Sequence, residues 1–240
     1  MKIFAHRGSS LIWPENTLFA FEQANKFGAT GFETDLRLSK DDEILLSHDD
    51  NLARFGHPDK TISQLAVEEI ETIQIHSKDT KYKDNIIRLE TLLKNFPEKH
   101  YIFDCKITSE LLIQKLANLF NKISFHNNFW FLTWSSEADE LLKKYFPYNP
   151  CFPREAITRS WGLKSIFRLG NSSEPSNRIL ALPAYHMGLP VFNKKQIDTI
   201  KAHGKEFVGY LVNSERDFLR CKYCGVSSIL TDRPDIIKLL

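Results

Sequence analysis

The chain has 240 residues, of which 42% are apolar, and its formal net charge at pH 7 is only +2. This length suits one large domain or two small ones, and the near balance of charge argues against a nucleic-acid-binding protein, which shows a clustered basic excess. The longest apolar runs are far too short to cross a bilayer, and no charged and apolar leader precedes the first strand. We therefore expect a cytoplasmic protein with no stable membrane insertion.

Four cysteines occur, and Cys221 and Cys224 stand in C-x-x-C spacing. A zinc site would require a second pair of ligands at matching spacing, and the sequence shows none. The position of this pair in a predicted helix is also unlike that of a redox motif. We interpret the cysteines as reduced thiols, which are typical of a reducing compartment.

Short apolar strands alternate with amphipathic helical segments from one end of the chain to the other. Strands are predicted at residues 2–5, 31–38, 101–106, 130–133, around Cys151, and at 179–182, 207–212 and 228–230. Helices are predicted at residues 15–27, 89–96, 109–122, 137–146, within 154–167, and at 194–202, 215–222 and 235–239. This alternation is typical of a parallel sheet covered by helices.

Eight strand–helix units predict an α/β fold, a (β/α)8 TIM barrel that spans residues 1–240 as a single domain. A doubly wound open sheet is the alternative. The strand at 31–38 continues, after a Lys-Asp-Asp turn, in residues 43–47. The polar segment 49–88 is predicted to be an irregular loop insertion with short helical pieces, and we expect it to close in part over the site.

Charged side chains cluster at the ends of the first three predicted strands, where the active site of such a barrel lies. They are His6 and Arg7 after the first strand, Glu33 and Asp35 on the second, His48 and Asp49 after its extension, and Asp104 and Lys106 at the end of the third. Because alternate side chains of a strand point to the same face, each pair that is two residues apart points into the same mouth.

Two carboxylates side by side on a buried strand are costly unless a positive charge neutralises them. Glu33, Asp35 and Asp104 offer oxygen ligands to a divalent cation, Mg²⁺ or Ca²⁺. Two alternatives remain open. The first two carboxylates could instead form salt bridges with Arg37 and Lys106, or Asp104 and Lys106 could form a structural ion pair at the barrel mouth.

The basic and imidazole groups complete a chemical set. Arg7 can bind a phosphate through two parallel hydrogen bonds, and Lys106 can act on it as a point charge. His6 and His48 can transfer protons near neutral pH. A divalent ion, cationic groups and an acid/base pair are what the cleavage of a phosphodiester requires.

Five short motifs occur in order along the chain. They are Ala-His-Arg-Gly at 5–8, Pro-Glu-Asn-Thr at 14–17, Glu-x-Asp at 33–35, His-Asp-x-x-Leu-x-Arg at 48–54 and Leu-Thr-Asp-Arg-Pro at 230–234. In this combination the chain resembles the glycerophosphodiester phosphodiesterase family. The resemblance implies a TIM-type barrel with bound Ca²⁺ or Mg²⁺ that hydrolyses deacylated phospholipids to glycerol 3-phosphate and an alcohol. It also implies that the neighbouring glycerol hydroxyl attacks phosphorus first and forms a cyclic phosphate.

The resemblance implies a role for each matching residue. His6 and His48 would be the acid/base pair, Glu33, Asp35 and Asp104 the metal ligands, Arg7 and Lys106 the phosphate contacts, and Glu15, Asn16 and Tyr210 supporting residues. The expected partner is a small-molecule glycerophosphodiester, and the oligomeric state stays open.

Two positions depart from the usual pattern of the family. Asp104 stands where the family usually has Glu, and Asp at this position resembles the related sphingomyelinase D-like enzymes. Tyr210 and Leu211 stand where the family has Trp-Thr, on a strand that helps to form the substrate wall. Two other interpretations therefore remain: a related phosphodiesterase that acts on lysophospholipids or other phosphodiesters, and a barrel that binds phosphodiesters without turnover.

Overall fold

The computed structural model describes residues 1–77, 82–126, 128–153 and 179–239. The strands are β1 (Lys2–His6), β2 (Gly31–Leu38), β3 (Ile44–Leu46), β4 (Gln74–His76), β5 (Lys83–Asn85), β6 (His100–Cys105), β7 (Phe129–Leu132), β8 (Ile179–Leu182), β9 (Tyr185–His186), β10 (Leu189–Pro190), β11 (Glu206–Gly209) and β12 (Ser228–Thr231). The helix predicted within 154–167 lies outside the described residues.

The helices of the described ranges lie close to their predicted positions. The α-helices are α1 (Leu18–Lys26), α2 (Val67–Ile70), α3 (Leu89–Asn95), α4 (Glu110–Lys122), α5 (Ser136–Tyr145), α6 (Lys194–Ala202) and α7 (Glu215–Cys224), and 3-10 helices cover Ala53–Phe55, Ile62–Gln64 and Pro234–Leu239. In these parts of the chain, no helix combines the length and the apolar character that crossing a membrane requires.

The strands of the main sheet lie side by side nearly in the order in which they occur along the chain. Its strands lie in the order β7, β6, β2, β1, β12, β11 and β8, and neighbours on this path are parallel. The first strand therefore pairs with the last, with Ala5 beside Thr231, and Cys151 extends the path beyond β7 through a parallel bridge to Phe131. A sequential order that returns to the first strand is typical of a barrel, whereas the order reverses in a doubly wound sheet. That one domain spans residues 1–240 stays a prediction.

Alternation along the strands separates the barrel interior from the layer beneath the helices. Phe4, Ile102 and Leu230 belong to one buried cluster inside the barrel, whereas Phe32 and Phe103 point outward into another. Each fully buried Phe contributes roughly 1.5–3 kcal/mol by leaving water. Because the next inward positions lie at the carboxyl ends of β1, β2 and β6, their side chains project from the top of the interior cluster.

Helix α1 begins at Leu18, later than the predicted start at residue 15. Thr17 is the N-cap, and its Oγ1 accepts a hydrogen bond from the backbone N–H of Ala20. Asn16 has a φ of 59°, in the left-handed region that a helix excludes. The loop before it packs closely on the helix at Gly8, where φ is 82°. A Cβ atom at this position would lie only 2.7 Å from the carbonyl carbon of Ala20. The loop after β1 therefore lies close against α1.

The insertion after β3 is a packed unit, so the prediction of an irregular polar loop is wrong in this respect. It contains short helical pieces, as predicted, together with the antiparallel hairpin β4–β5. Together with Leu45 of β3, its apolar side chains form a separate buried cluster made of Leu52, Phe55, Ile62, Val67, Ile70, Ile73, Ile75 and Ile86. These side chains are scattered among charged residues without a helical or strand period that is sustained over the segment, which is why the sequence pattern does not reveal the cluster.

Candidate active site

The three carboxylates predicted as metal ligands lie together at the carboxyl ends of neighbouring strands. Glu33 and Asp35 project from β2, and Asp104 projects from β6, in register with Asp35. One oxygen atom of each carboxylate lies within 4.8 Å of the other two, and at most 2% of each residue is exposed. Carboxylate oxygens grouped in this way can hold a hard divalent cation.

Two cationic side chains face these three carboxylates. Lys106 Nζ lies 3.1 Å from Asp35 Oδ1 and 2.5 Å from Asp104 Oδ2. Arg7 Nε lies 3.0 Å from Asp35 Oδ2. Burial raises the pKa of Asp35, but the charges of Arg7 and Lys106 outweigh burial and hold this pKa below its ordinary value. Glu33 differs, because burial above all raises its pKa to about 8.

His6, at the end of β1, is held from two sides. Its Nδ1 atom lies 2.5 Å from Asp232 Oδ1, and its Nε2 atom lies 3.7 Å from Glu33 Oε2. Burial lowers the pKa of His6, but the charge of Glu33 and the hydrogen bond with Asp232 outweigh this effect and raise the pKa above its ordinary value. Asp232 also accepts hydrogen bonds from Asn213 Nδ2 at 2.6 Å and from Ser10 Oγ at 2.9 Å.

The sequence did not predict a function for Asp232 or Asn213. Asp232 is the third residue of the motif at 230–234, which supported the family resemblance without indicating a contact. It lies 226 residues from His6 in the chain, so only the pairing of β1 with β12 brings the two together. The motif at 230–234 was therefore the sequence signal for Asp232, but its contact with His6 could not be identified without the fold.

His48 lies two residues after β3, in more exposed surroundings. Its Nδ1 atom lies 2.7 Å from Asp49 Oδ1, and the side chains of His48 and Asp49 are 36% and 39% exposed. Arg37 donates to the backbone carbonyl oxygen of His48, at 3.1 Å from Nε and 2.7 Å from NH2. Within the described residues, Arg37 forms no ion pair with Glu33 or Asp35, which excludes that part of the salt-bridge alternative.

Glu15 and Asn16 connect the loop after β1 to the same network. Glu15 accepts a hydrogen bond from Arg7 NH1 at 3.2 Å and a bidentate pair from Arg54 at 2.7 and 2.8 Å. Asn16 donates from Nδ2 to Asp35 Oδ2 at 2.8 Å. These two of the three predicted supporting residues therefore contact a charged side chain of the site. Arg54 belongs to the motif at 48–54 but received no role from the sequence.

Two aromatic side chains, Trp134 and Tyr210, border the charged groups. Trp134 Nε1 donates to Asp104 Oδ1 at 2.7 Å, and Lys106 Nζ stands 4.9 Å from the centroid of its ring, which is a cation–π contact. Tyr210 lies in the turn after β11 and is 39% exposed. Burial, followed by the charge of Glu33, raises the pKa of its hydroxyl.

The contacts join nine of the ten predicted site residues into one network at the carboxyl end of the sheet. Direct hydrogen bonds and ion pairs connect His6, Arg7, Glu15, Asn16, Glu33, Asp35, Asp104 and Lys106, and His48 is joined to them through Asp49 and Arg54. Tyr210, the tenth, interacts with the group electrostatically. The chemical role of each residue stays a prediction.

Comparison with protein families and curated proteins gives a consistent result. The glycerophosphoryl diester phosphodiesterase family matches residues 6–236. A glycerophosphodiester phosphodiesterase from Caldanaerobacter subterraneus subsp. tengcongensis is 25% identical over 246 residues, which cover 98% of this chain and 95% of that protein. A lysophospholipase D from Homo sapiens is 23% identical, and the match covers 99% of this chain and 84% of that protein.

Comparison with solved structures gives the same fold. A phosphodiesterase from Oleispira antarctica, in complex with the product sn-glycerol-3-phosphate, has a TM-score of 0.74 and 21% identity. The superposition covers 100% of this chain and 96% of that chain. Together with the strand order described above, this likeness confirms the predicted (β/α)8 barrel.

Proposed function

The chain belongs to the glycerophosphoryl diester phosphodiesterase family, and we propose that it hydrolyses a glycerophosphodiester to glycerol 3-phosphate and an alcohol. Family membership confirms the prediction of a phosphoric diester hydrolase. One observation supports the proposal most strongly. Two histidines, each with a carboxylate at Nδ1, lie at the end of the barrel that holds three clustered carboxylates.

Glu33, Asp35 and Asp104 are the residues that would hold a divalent cation, Mg²⁺ or Ca²⁺. The charges of the site fit such an ion, because the three buried carboxylates face only two cationic side chains, Arg7 and Lys106. After burial, the charges of Asp35 and Asp104 also raise the pKa of Glu33. A bound cation would neutralise this excess and polarise a phosphoryl oxygen as a Lewis acid.

His6 and His48 are proposed as the acid/base pair. One imidazole takes the proton of the glycerol 2-hydroxyl while the hydroxyl oxygen forms a bond to phosphorus. The bond from phosphorus to the alcohol oxygen breaks, and the other imidazole, protonated beforehand, gives its proton to that oxygen. Water then opens the resulting cyclic phosphate, with the two histidines in exchanged roles. Asp232 and Asp49 favour the Nδ1–H tautomer, so that the Nε2 atom of each ring carries the lone pair that takes part in proton transfer.

Arg7 and Lys106 are proposed to contact the phosphate. Burial lowers the pKa of Lys106, but Asp35 and Asp104 outweigh it and keep this pKa above its ordinary value, so the ammonium group stays charged. The same carboxylates restrict its position, which favours binding of an anion in a defined orientation. Tyr210 is proposed to line the wall against the alcohol part of the substrate.

A lysophospholipid is the second candidate substrate. The relative from Homo sapiens that is named a lysophospholipase D matches 99% of this chain. Trp134 and Tyr210 are 56% and 39% exposed at the border of the site, and exposed aromatic surface beside a polar centre suits a ligand with an apolar part. Asp104, where the family usually has Glu, is a further departure in the same region.

The test is the release of glycerol 3-phosphate from glycerophosphocholine or glycerophosphoethanolamine by the purified protein. Reactions contain no additive, EDTA, or EDTA followed by excess Mg²⁺ or Ca²⁺. We expect EDTA to abolish release and one ion to restore it. H48Q is expected to lose the activity, whereas H57Q should keep it, because His57 lies in the insertion, where its Nε2 atom is 3.1 Å from the carbonyl oxygen of Gln74.

Other outcomes separate the alternatives. Choline release from lysophosphatidylcholine, but not from glycerophosphocholine, would move the substrate class to lysophospholipids. Binding of glycerophosphocholine without turnover of any substrate would contradict the enzymatic proposal and favour a binding barrel. Phosphorus NMR tests the route, since a five-membered cyclic phosphate is expected as the intermediate. Equally fast hydrolysis of an analogue without the 2-hydroxyl would contradict that route.

A further inference from the structure

Arg54 lies between two carboxylates that belong to different parts of the site. Its Nε atom lies 2.8 Å from Asp49 Oδ2, while NH1 and NH2 lie 2.7 and 2.8 Å from the two oxygens of Glu15. Asp49 contacts His48 through its other oxygen, and Glu15 contacts Arg7. One guanidinium group therefore joins the start of the insertion to the loop after β1.

The packed core of the insertion holds Arg54 in place. Arg54 is the middle residue of the 3-10 helix Ala53–Phe55, which ends at Gly56 with a φ of 87°. Its Cζ atom lies 4.6 Å from the centroid of the Phe55 ring, a cation–π distance. Phe55 is only 6% exposed and belongs to the buried cluster of the insertion. The guanidinium group is thus supported on a fixed surface.

Asp49 depends on Arg54 for its orientation. Its side chain is 39% exposed, and the hydrogen bonds of that side chain among the described residues run to His48 and Arg54. A side chain this exposed keeps much of its rotamer freedom, and an isolated surface ion pair contributes little. Arg37 holds the backbone carbonyl of His48 but does not restrict rotation of the imidazole ring.

We propose that Arg54 is a positioning residue for His48. It holds Asp49 where this carboxylate accepts a hydrogen bond from His48 Nδ1, and it binds Glu15, so that the ring keeps a constant position relative to Arg7. The kinetic part of this inference rests on the proposed function, because it requires His48 to transfer a proton. The orientation of the ring can be measured without turnover, so the two proposals can fail separately.

The experiment compares wild type, R54Q, R54K and R88Q. Nitrogen-15 NMR of histidine-labelled protein, with His48 assigned through H48Q, reports the tautomer of the neutral ring. Wild type is expected to show Nδ1–H, and R54Q is expected to shift toward Nε2–H. Because misplacement of a catalytic group lowers a rate and R54Q leaves the Asp49 carboxylate itself in place, we expect the kcat of R54Q to fall by about three- to tenfold. KM should stay within about twofold, since substrate contacts are unchanged. R54K should recover part of the loss.

Arg88 provides a matched control in the same region. It forms a bidentate pair with Glu71 at 2.8 and 3.0 Å, and its side chain is 31% exposed, compared with 35% for Arg54. R88Q removes a similar ion pair but leaves Asp49 unchanged. The His48 tautomer and the kcat of R88Q should therefore match those of wild type.

Three outcomes would overturn the proposal. The first is an unchanged His48 tautomer in R54Q. The second is a kcat of R54Q equal to that of wild type, where wild type turns over substrate. The third is an equal loss of activity and of melting temperature in R54Q and R88Q. If R54Q does not fold, R54K and E15Q replace it, because each variant can keep one of the two contacts that join Arg54 to Asp49 and to Glu15. An unchanged tautomer in both would then overturn the proposal. An inactive wild type would contradict the proposed function only.

Discussion

The two histidines of the site have the same kind of partner in opposite surroundings. His6 and Asp232 are 226 residues apart in the chain, and their side chains are 13% and 20% exposed. His48 and Asp49 are adjacent in sequence and are 36% and 39% exposed. The sheet itself assembles the first pair through β1 and β12, whereas the second pair lies at the start of the insertion.

This difference shows where a fold supplies rigidity and where another side chain must supply it. Asp232 is mostly buried and accepts further hydrogen bonds from Asn213 and Ser10, so few other orientations are open to it. Charges in such surroundings also interact more strongly than charges in water. The pair at the insertion is exposed and screened, and pairs of this kind are individually weak. The two pairs should therefore respond unequally to the same substitution.

D232N should have the largest effect. Asparagine is neutral and its amide can donate to His6 Nδ1, which favours the wrong tautomer, and comparable changes in hydrolases lower kcat by about four orders of magnitude. We expect kcat for glycerophosphodiester hydrolysis to fall by at least about a hundredfold. The measurement is steady-state kinetics at saturating divalent cation.

D235N is the control for D232N. Asp235 lies in the same terminal segment and pairs with Arg233, away from His6, so this variant should keep its kcat and its melting temperature. Full activity in D232N, or an equal loss in D235N, would show that the contact between His6 and Asp232 does not orient a catalytic ring.

D49N should have a smaller effect, of about tenfold in kcat, because water can hydrate the exposed His48 ring and the ring can still reach its productive orientation for part of the time. The same assay as for D232N gives the comparison. The order of the two losses matters more than either value. A larger loss in D49N than in D232N would contradict the argument that burial makes the first pair the more rigid one.

The barrel could be predicted because its helices and strands show clear periods. Helix α6, Lys194–Ala202, was predicted at its observed ends, and Asn193 caps it through Gln196 in a capping box. Errors occur where backbone conformation decides an end. Asn16 and Leu211 have φ values of 59° and 50°, and a positive φ in residues other than glycine is uncommon and is not evident from the sequence. Helix α1 therefore begins late, and β11 ends before Tyr210.

The site was predictable to the extent that its residues lie on strands. The period of two places Glu33 and Asp35 on one face, and the structure shows both pointing inward. Contacts that depend on two distant elements could not be derived in this way. The hydrogen bond between Asp232 and His6 requires the pairing of β1 with β12. The position of Arg54 requires the packed insertion, whose apolar residues follow no sustained period.

Buried Glu33 should also couple pH to stability near neutral pH, whereas Asp49 should do so only in acid. Burial raises the pKa of Glu33 to about 8, from 4.5, so the folded state binds more protons than the unfolded chain between these values. The free energy of unfolding should therefore fall as pH rises through this window. The raised pKa of His6 has the same sign. The pKa of Asp49 is lowered from 3.8, so its contribution is lost only at lower pH.

Thermal unfolding in EDTA checks this coupling. The melting temperature should decrease between about pH 5 and pH 8.5, by roughly 2–4 °C for each kcal/mol lost. E33Q should flatten the dependence, and D49N should leave it unchanged. A wild-type slope that persists in E33Q would exclude Glu33 as its source.

The smallest effect is expected at Trp134, where an exposed side chain contacts a buried carboxylate. W134F keeps an aromatic ring beside Lys106 but removes the N–H that donates to Asp104. Loss of one hydrogen bond to a charged group that keeps another partner should raise the cation concentration for half-maximal activity by about three- to tenfold, with little change in kcat. W13F is the control, because Trp13 packs on Phe19. A lower kcat of W134F at saturating cation would place Trp134 against the substrate instead. An unchanged cation concentration for half-maximal activity would show that Asp104 needs no second partner.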